Sequence, residues 1–286
     1  MGELAGWLFD PYQFEFMRRA LFVLVIISVV GAVVGAFVVH KGLAFSGDAL
    51  AHATLAGVAI AFVNGASVGF GALVAGVLTA LGIGWTRRRT RVSYDTAIGI
   101  LFVGMFSLGI LVMSRRSSYT PDLFAFVFGN ILGVSNADLT GAAVMAGVVL
   151  LFVWAFYREL LFVAYDPAMA AASGVRAAPF QYALLVMVAV AVVVALKAIG
   201  IVLVNAMLIV PAATAGLIAA RMSRIMLIGS GVALTASVVG LHISFYARVS
   251  ASAAIVLTAC AIFLVTAFAV GRRPSAGVVA AERAAR

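Results

Sequence analysis

Long apolar runs alternate with short polar interruptions along this chain, at a spacing close to the thickness of a bilayer. The runs fall roughly at residues 19–39, 47–63, 67–86, 96–114, 139–157, 180–196, 198–220, 223–246 and 251–271. Most approach the ~20 residues that a helix needs to cross a hydrocarbon core. Strict alternation of apolar and polar positions, the mark of an outer-membrane barrel, is missing. The pattern predicts an all-α, polytopic transmembrane helical bundle of eight or nine spans. The count turns on Lys197, Ala198, Ile199 and Gly200, where two runs read either as separate spans or as one broken helix. A shorter apolar piece at 123–134, containing Gly129 and Asn130, reads as a partial or interfacial helix.

Composition supports the membrane assignment. The chain is 65% hydrophobic and only 10% charged over 286 residues, too little polar surface for a dissolved globule. Asp10, Glu15, Arg18 and Arg19 interrupt the first nineteen residues, so these do not read as a signal peptide. The 28 glycines read as close helix packing. The single cysteine, Cys260, reads as a packing residue.

The formal charge is +9, but the basic residues gather at span ends, which excludes nucleic acid as the natural partner and fixes orientation instead. Arg87, Arg88, Arg89 and Arg91 form the densest cluster and are assigned to the cytoplasm. Counting spans outward puts Lys41, Arg158, Arg176, Arg221, Arg224, Arg272, Arg273, Arg283 and Arg286 on the same side. Arg18, Arg19, Arg115, Arg116 and Arg248 fall opposite. The expected layout is an extracytoplasmic or interfacial segment at 1–18, a transmembrane domain at 19–271 and a cytoplasmic tail at 272–286. With nine spans the N-terminus lies outside and residues 8–19 rest along the outer interface.

Two stretches carry candidate chemistry. Asp48 and His52 stand four apart at the head of the second run, so on a helix they share a face. A carboxylate and an imidazole suit a borderline first-row divalent ion. Two ligands hold a metal weakly, but two copies about a two-fold axis supply two Asp, two His and a charge of −2. The alternatives are that Asp48 caps the span, with Ser46 sharing that task, and that His52 bonds to a neighbouring helix. The second stretch is 164–175. Asp166 suits an N-cap, Pro167 the first helical position and Gly174 the position after the C-cap. Ala168, Met169, Ala170 and Ala171 lie between them. The result is a short rigid helix on the inner face, a natural knob for a soluble partner to push. There is no GxxxxGK[ST] loop, so any ATPase must be a separate chain.

Other polar groups read more plainly. His40 and Lys41 end the first span at its cytoplasmic boundary. His242, near the outer end of the eighth span, reads as structural or as an entry point for an ion. Asp95 reads as a helix cap. Asn205, Asn130 and Lys197 read as groups that bond between helices.

Taken together, five stretches resemble the permease subunits of the manganese/zinc/iron-type ABC importers, the ABC-3 family. They are GDALAHATLAGVA (47–59), DTAIGILFVGMFSLGILV (95–112), LFAFVFGNILGVS (123–135), YDPAMAAASGV (165–175) and AIGIVLVNAMLIVPAATA (198–215). They occur in the family's order and cover most of residues 20–270. The resemblance implies a type II importer-like fold and an inner-membrane permease that is not itself an enzyme. It implies a homodimer, a cytoplasmic ABC ATPase dimer and an extracytoplasmic metal-binding protein as partners, with lipid around the bundle. No cofactor is permanently bound; Mn²⁺, Zn²⁺ or Fe²⁺ is the cargo. Asp48 and His52 match the family's pathway metal residues, and 166–174 its coupling helix. The sequence departs at Ala56, where the family often has proline, which implies a straighter second span. It departs again at 247–254, ARVSASAA, where the family often has an acid and a Pro-Ser-Gly turn. The competing expectations are an ATPase-independent channel or proton-coupled carrier, and an intramembrane metal hydrolase. The absence of an HExxH motif speaks against the hydrolase.

Overall fold

The computed structural model describes residues 10–114, 129 and 131–271. Among these the chain is all helical, without strands. After a 3₁₀ turn at Asp10–Gln13 come α1 (Glu15–His40), α2 (Ala44–Val63), α3 (Val68–Arg89) and α4 (Tyr94–Ser114). A second 3₁₀ turn, Ile131–Gly133, leads to α5 (Asn136–Ala155), α6 (Tyr157–Tyr165) and α7 (Pro167–Ala172). The helical stretch Ala177–Ile218 is broken at Gly200 (φ 76°, ψ 168°). Its two limbs are α8 (Ala177–Leu196) and α9 (Ala198–Ile218). α10 (Met222–Ala247) and α11 (Ala251–Gly271) complete the chain. Nine of the described helices are long and apolar enough to span.

The ambiguity at residues 197–200 resolves as a reversal rather than a kink. Ala191 and Leu208 would stand ~25 Å apart along one continuous helix, yet with Val192, Ala195 and Val204 they line one small void. Moreover, Tyr182 on α8 packs at Gly84 while Leu208 on α9 packs at Gly35. Gly84 and Gly35 lie near the ends of α3 and α1 marked by Arg87 and Lys41. Both limbs therefore run to the same side, and a hairpin turns between them. The left-handed φ at Gly200 makes that turn possible without a Cβ penalty. Ser252 at the start of α11 donates to the Ile199 carbonyl at 3.5 Å.

Small residues set the packing, as expected where no hydrophobic effect drives helices together. Gly57 of α2 and Gly71 of α3 face each other so closely that a Cβ on either would strike the other's carbonyl. Gly109 of α4 sits on the Ala56 backbone, so α2 is clasped between α3 and α4. α9 lies against α1 and α2 near their shared polar end, through Gly35 and Gly47. α10 packs on α1 and α9 through Gly229, and on α11 through Gly240. Ser28 and Ser237 share a buried hydrogen bond of 3.2 Å between α1 and α10.

Several boundaries differ from expectation. The first helix starts at Glu15, where Arg19 pairs with Glu15 one turn on, so residues 15–18 of the expected N-terminal segment are continuous with α1. The second span starts at Ala44, three residues earlier than expected, and no side chain caps it. Ser93 caps α4 by accepting from Thr96 N at 3.1 Å; Asp95 lies inside the first turn and is not the cap. The fifth run ends at Ala155, and α6 follows as a separate helix. Of the segment expected at 123–134, only Gly129 and 131–134 fall within the described residues. Residues 1–9 of the expected N-terminal segment and the expected tail at 272–286 lie outside them, as do Arg115, Arg116 and Asn130.

Candidate functional site

The head of α2 carries the acid–imidazole pair. The helix begins at Ala44 with Leu43 at the capping position and no side-chain cap. Asp48 therefore stands in the second turn, and its carboxylate is not spent on backbone amides. Ser46 is no cap either: it is fully buried, and its hydroxyl has no hydrogen-bond partner. Asp48 Oδ1 lies 3.6 Å from His52 Nε2, the i,i+4 contact expected of a shared face.

Two neighbours fix this pair. Asn205 of α9 donates its Nδ2 to Asp48 Oδ1 at 2.7 Å. Gly47 makes that approach possible, since a Cβ there would stand 2.9 Å from both Asn205 Oδ1 and Leu208 Cδ2. On the other side Phe102 and Phe106 of α4 hold the imidazole edge-to-face, with ring centroids at 5.5 and 5.6 Å. The pair is nevertheless open on one side: the Asp48 side chain is 49% exposed and that of His52 28%. A cleft lined by Phe45, Asp48, Ala49, Asp95 and Phe102 leads to it, so Asp95 shares the mouth of the site.

Rising 1.5 Å per residue, α2 places Asp48 ~6 Å and His52 ~12 Å from its first residue. Both positions lie within a helix long and apolar enough to cross a ~30 Å core. A half-bare carboxylate there is costly in lipid. Among the described residues no group of three His, Cys, Asp or Glu side chains could hold an ion within one chain. One copy thus offers a partial ligand set on an open face.

The short helix α7 forms as the sequence expects. Asp166 Oδ1 accepts from the amides of Ala168 and Met169, both at 2.9 Å. Pro167 opens the helix, and Gly174 follows it with φ +82°. Met169 is 59% exposed, and Ala168 and Ala171 are exposed as well, whereas Ala170 is fully buried. The free face is therefore narrower than the sequence suggests and excludes Ala170. Lys41 Nζ donates to the Val163 carbonyl of α6 at 2.6 Å, and burial lowers the Lys41 pKa. His40 packs on Tyr165 with ring centroids 4.1 Å apart. The end of α1 is thereby tied to the helix that leads into α7.

The model of the ABC 3 transport family matches residues 13–270 of the chain. The chain belongs to the ABC 3 transport family. Its similarity to curated relatives extends over almost the whole length. It is 38% identical over 253 residues to the "Manganese transport system membrane protein MntC" of Listeria monocytogenes, covering 88% of this chain and 90% of that one. It is 33% identical over 259 residues to a "Probable iron transport system membrane protein" of Haemophilus influenzae, covering 91% and 95%. Among solved structures it is similar to "PsaBC from Streptococcus pneumoniae in complex with Fab", with a TM-score of 0.81, 36% identity and coverage of 92% and 95%.

This ABC 3 family member is thus a multi-pass helical membrane protein whose relatives are transport permeases. Within it His242 sits apart from the acid–imidazole pair. It is 5% exposed, its Nδ1 lies 2.8 Å from the Val238 carbonyl, and the Tyr12 hydroxyl lies 3.4 Å from the same nitrogen. Those contacts describe a packed histidine at the junction of α10 with the N-terminal 3₁₀ turn. Asn205 is the residue whose place the sequence left open. An amide in an otherwise apolar helix signals a bond between helices, but nothing in the sequence says to which one.

Proposed function

We propose that this chain is the permease subunit of an ATP-driven importer of a divalent transition metal, and that the ion crosses between two copies of the chain past Asp48 and His52. The observation that carries the proposal is the open acid–imidazole pair on a membrane helix. A second copy about a two-fold axis covers a carboxylate that lipid would reject. It also completes a set of two Asp and two His, whose charge of −2 offsets that of the ion. The cargo is manganese or iron, in keeping with the names of the relatives. The carboxylate–imidazole set also accepts zinc, so selection against Zn²⁺ needs a further element.

The ATPase is a separate pair of subunits that dock on α7 through Met169, Ala168 and Ala171, with Asp166, Pro167 and Gly174 shaping the helix. An extracytoplasmic metal-binding protein supplies the ion. The C-terminus and the Arg87–Arg91 cluster face the cytoplasm, and the short exposed helix lies on that same side. A channel or proton-coupled carrier would have no use for a rigid, capped helix displayed to a soluble partner.

The test is reconstitution of the chain in vesicles with and without its ATPase. Uptake of Mn²⁺ or Fe²⁺ that requires the ATPase, ATP and the binding protein together is the expected result. Uptake at the same rate without ATPase would replace this reading with the carrier.

A further inference from the structure

We infer that Asn205 is a third metal donor at the Asp48–His52 station, contributed by α9, and that it biases the station toward six-coordinate Mn²⁺ or Fe²⁺ over Zn²⁺. The inference rests on the proposed pathway and names what sets its selectivity.

Three side chains from two helices meet at one atom. Asp48 Oδ1 is 2.7 Å from the Asn205 amide and 3.6 Å from His52 Nε2. Donors bound to one first-row ion at ~2.1 Å stand roughly 3.0–3.5 Å from each other, octahedral edges at the short end and tetrahedral at the long end. The observed separations bracket that range, so a cation can enter with small side-chain adjustments.

The state of the amide fits this role. Facing a carboxylate, Asn205 has to present Nδ2, because only nitrogen can donate. That leaves Oδ1 buried with no hydrogen-bond partner, an arrangement that costs stability and calls for a reason. A half-turn of the amide exchanges the two atoms. It is unfavourable while the carboxylate is bare and favourable once a cation sits on Asp48, since the orphaned oxygen then becomes a ligand. Gly47 keeps this corner open, since a Cβ there would stand only 2.9 Å from Oδ1.

Donor count decides the selectivity. Two copies with Asp and His alone offer four ligands, the number that suits tetrahedral Zn²⁺. Two copies with Asp, His and Asn offer six, with four oxygens and two nitrogens. Carboxylate and carbonyl oxygens in an octahedral set favour Mn²⁺ over its softer competitors.

The experiment measures metal binding to the assembled permease–ATPase complex in lipid nanodiscs. Loss of the free Mn²⁺ electron paramagnetic resonance signal reports Mn²⁺ binding, and competition by Zn²⁺ reports Zn²⁺ binding. Asn205→Leu is expected to weaken Mn²⁺ by about 10-fold or more, the scale of losing a metal-site partner, while Zn²⁺ changes by less than about 3-fold. Asn205→Asp keeps an oxygen in place but cannot donate to Asp48, and is expected to hold Mn²⁺ at least as tightly as the wild type. An equal loss of both metals in Asn205→Leu, or no loss of either, overturns the inference, as does an Asp variant as weak as the Leu variant. Should Asn205→Leu not reach the membrane, the Asp variant decides alone, and Mn²⁺ binding about 10-fold or more weaker than in the wild type then overturns the inference. Asp48→Asn separates the two levels. Undiminished Mn²⁺ binding there sinks the pathway itself, whereas lost binding beside an unaffected Asn205→Leu sinks only the role of Asn205.

Discussion

Replacing Asp48 with asparagine removes one charge and little else. The new side chain has the same size, and its amide oxygen can still accept from Asn205 Nδ2, which now lies 2.7 Å from the carboxylate. Nor is a helix cap lost, because α2 begins four residues earlier without one. What changes is the field on a passing ion. Two unit charges 4 Å apart interact by about 4 kcal/mol at an effective dielectric of 20, so a divalent ion gains about 8 kcal/mol from each carboxylate. The Asp48 side chain is 49% exposed, and water reaching it lowers this by a factor of about four, toward the bulk-water limit, to ~2 kcal/mol. Two copies in the pathway give ~4 kcal/mol, a fall in ion occupancy of roughly 10³-fold. The assay is radiotracer Mn²⁺ uptake into vesicles, normalised to permease in the membrane, with dimer content checked by crosslinking. Uptake within a factor of about three of the wild type, with dimer intact, would refute the reasoning and move the ion path away from α2.

Further expectations follow from other parts of the fold. Met169→Asp should abolish copurification of the ATPase and leave permease abundance unchanged. Ala170→Arg should instead lower abundance of the permease itself, because Ala170 is fully buried and an unpaired buried charge is among the severe single changes. Gly200→Ala should destabilise the α8–α9 turn by about 1–3 kcal/mol, since φ 76° with ψ 168° is a region essentially reserved for glycine; a lower melting temperature in detergent is the readout. Phe45→Cys, in a background lacking Cys260, should crosslink two copies under mild oxidation, since Phe45 is 74% exposed beside Asp48; a chain that stays uncrosslinked in membranes argues against this face as the dimer contact.

Much of the architecture was legible because it rests on local physics. Apolar run length located the spans, and the Asp166–Pro167 start with Gly174 at the end located α7, since both signals lie within a few residues of the element they define. The spacing of Asp48 and His52 implied a shared face, and the face is shared. What stayed hidden depends on distant segments. Asn205 reaches Asp48 across 157 positions, and only the reversal at Gly200 brings it there. Ala170 turned inward because α6, unforeseen as a separate helix, carries α7 against the bundle. The early start of the second span was not legible because its uncapped start leaves no polar signature to read.

The mutual glycine contact between α2 and α3 has a consequence for motion. Carbonyls packed that tightly leave no clearance for one helix to slide or roll on the other, and packed interfaces of this kind switch between discrete arrangements rather than deform continuously. With Gly109 of α4 lodged on the Ala56 backbone, α2, α3 and α4 form a slab. Asp48 and His52 are mounted on it like fittings on a door. In the proposed dimer, any opening between two copies is then a swing of whole slabs, with the distance between the paired sites changing while Asp48 and His52 keep their places within each slab. Labels placed within one slab should report a constant separation through the transport cycle, and labels placed across the two should report the stroke.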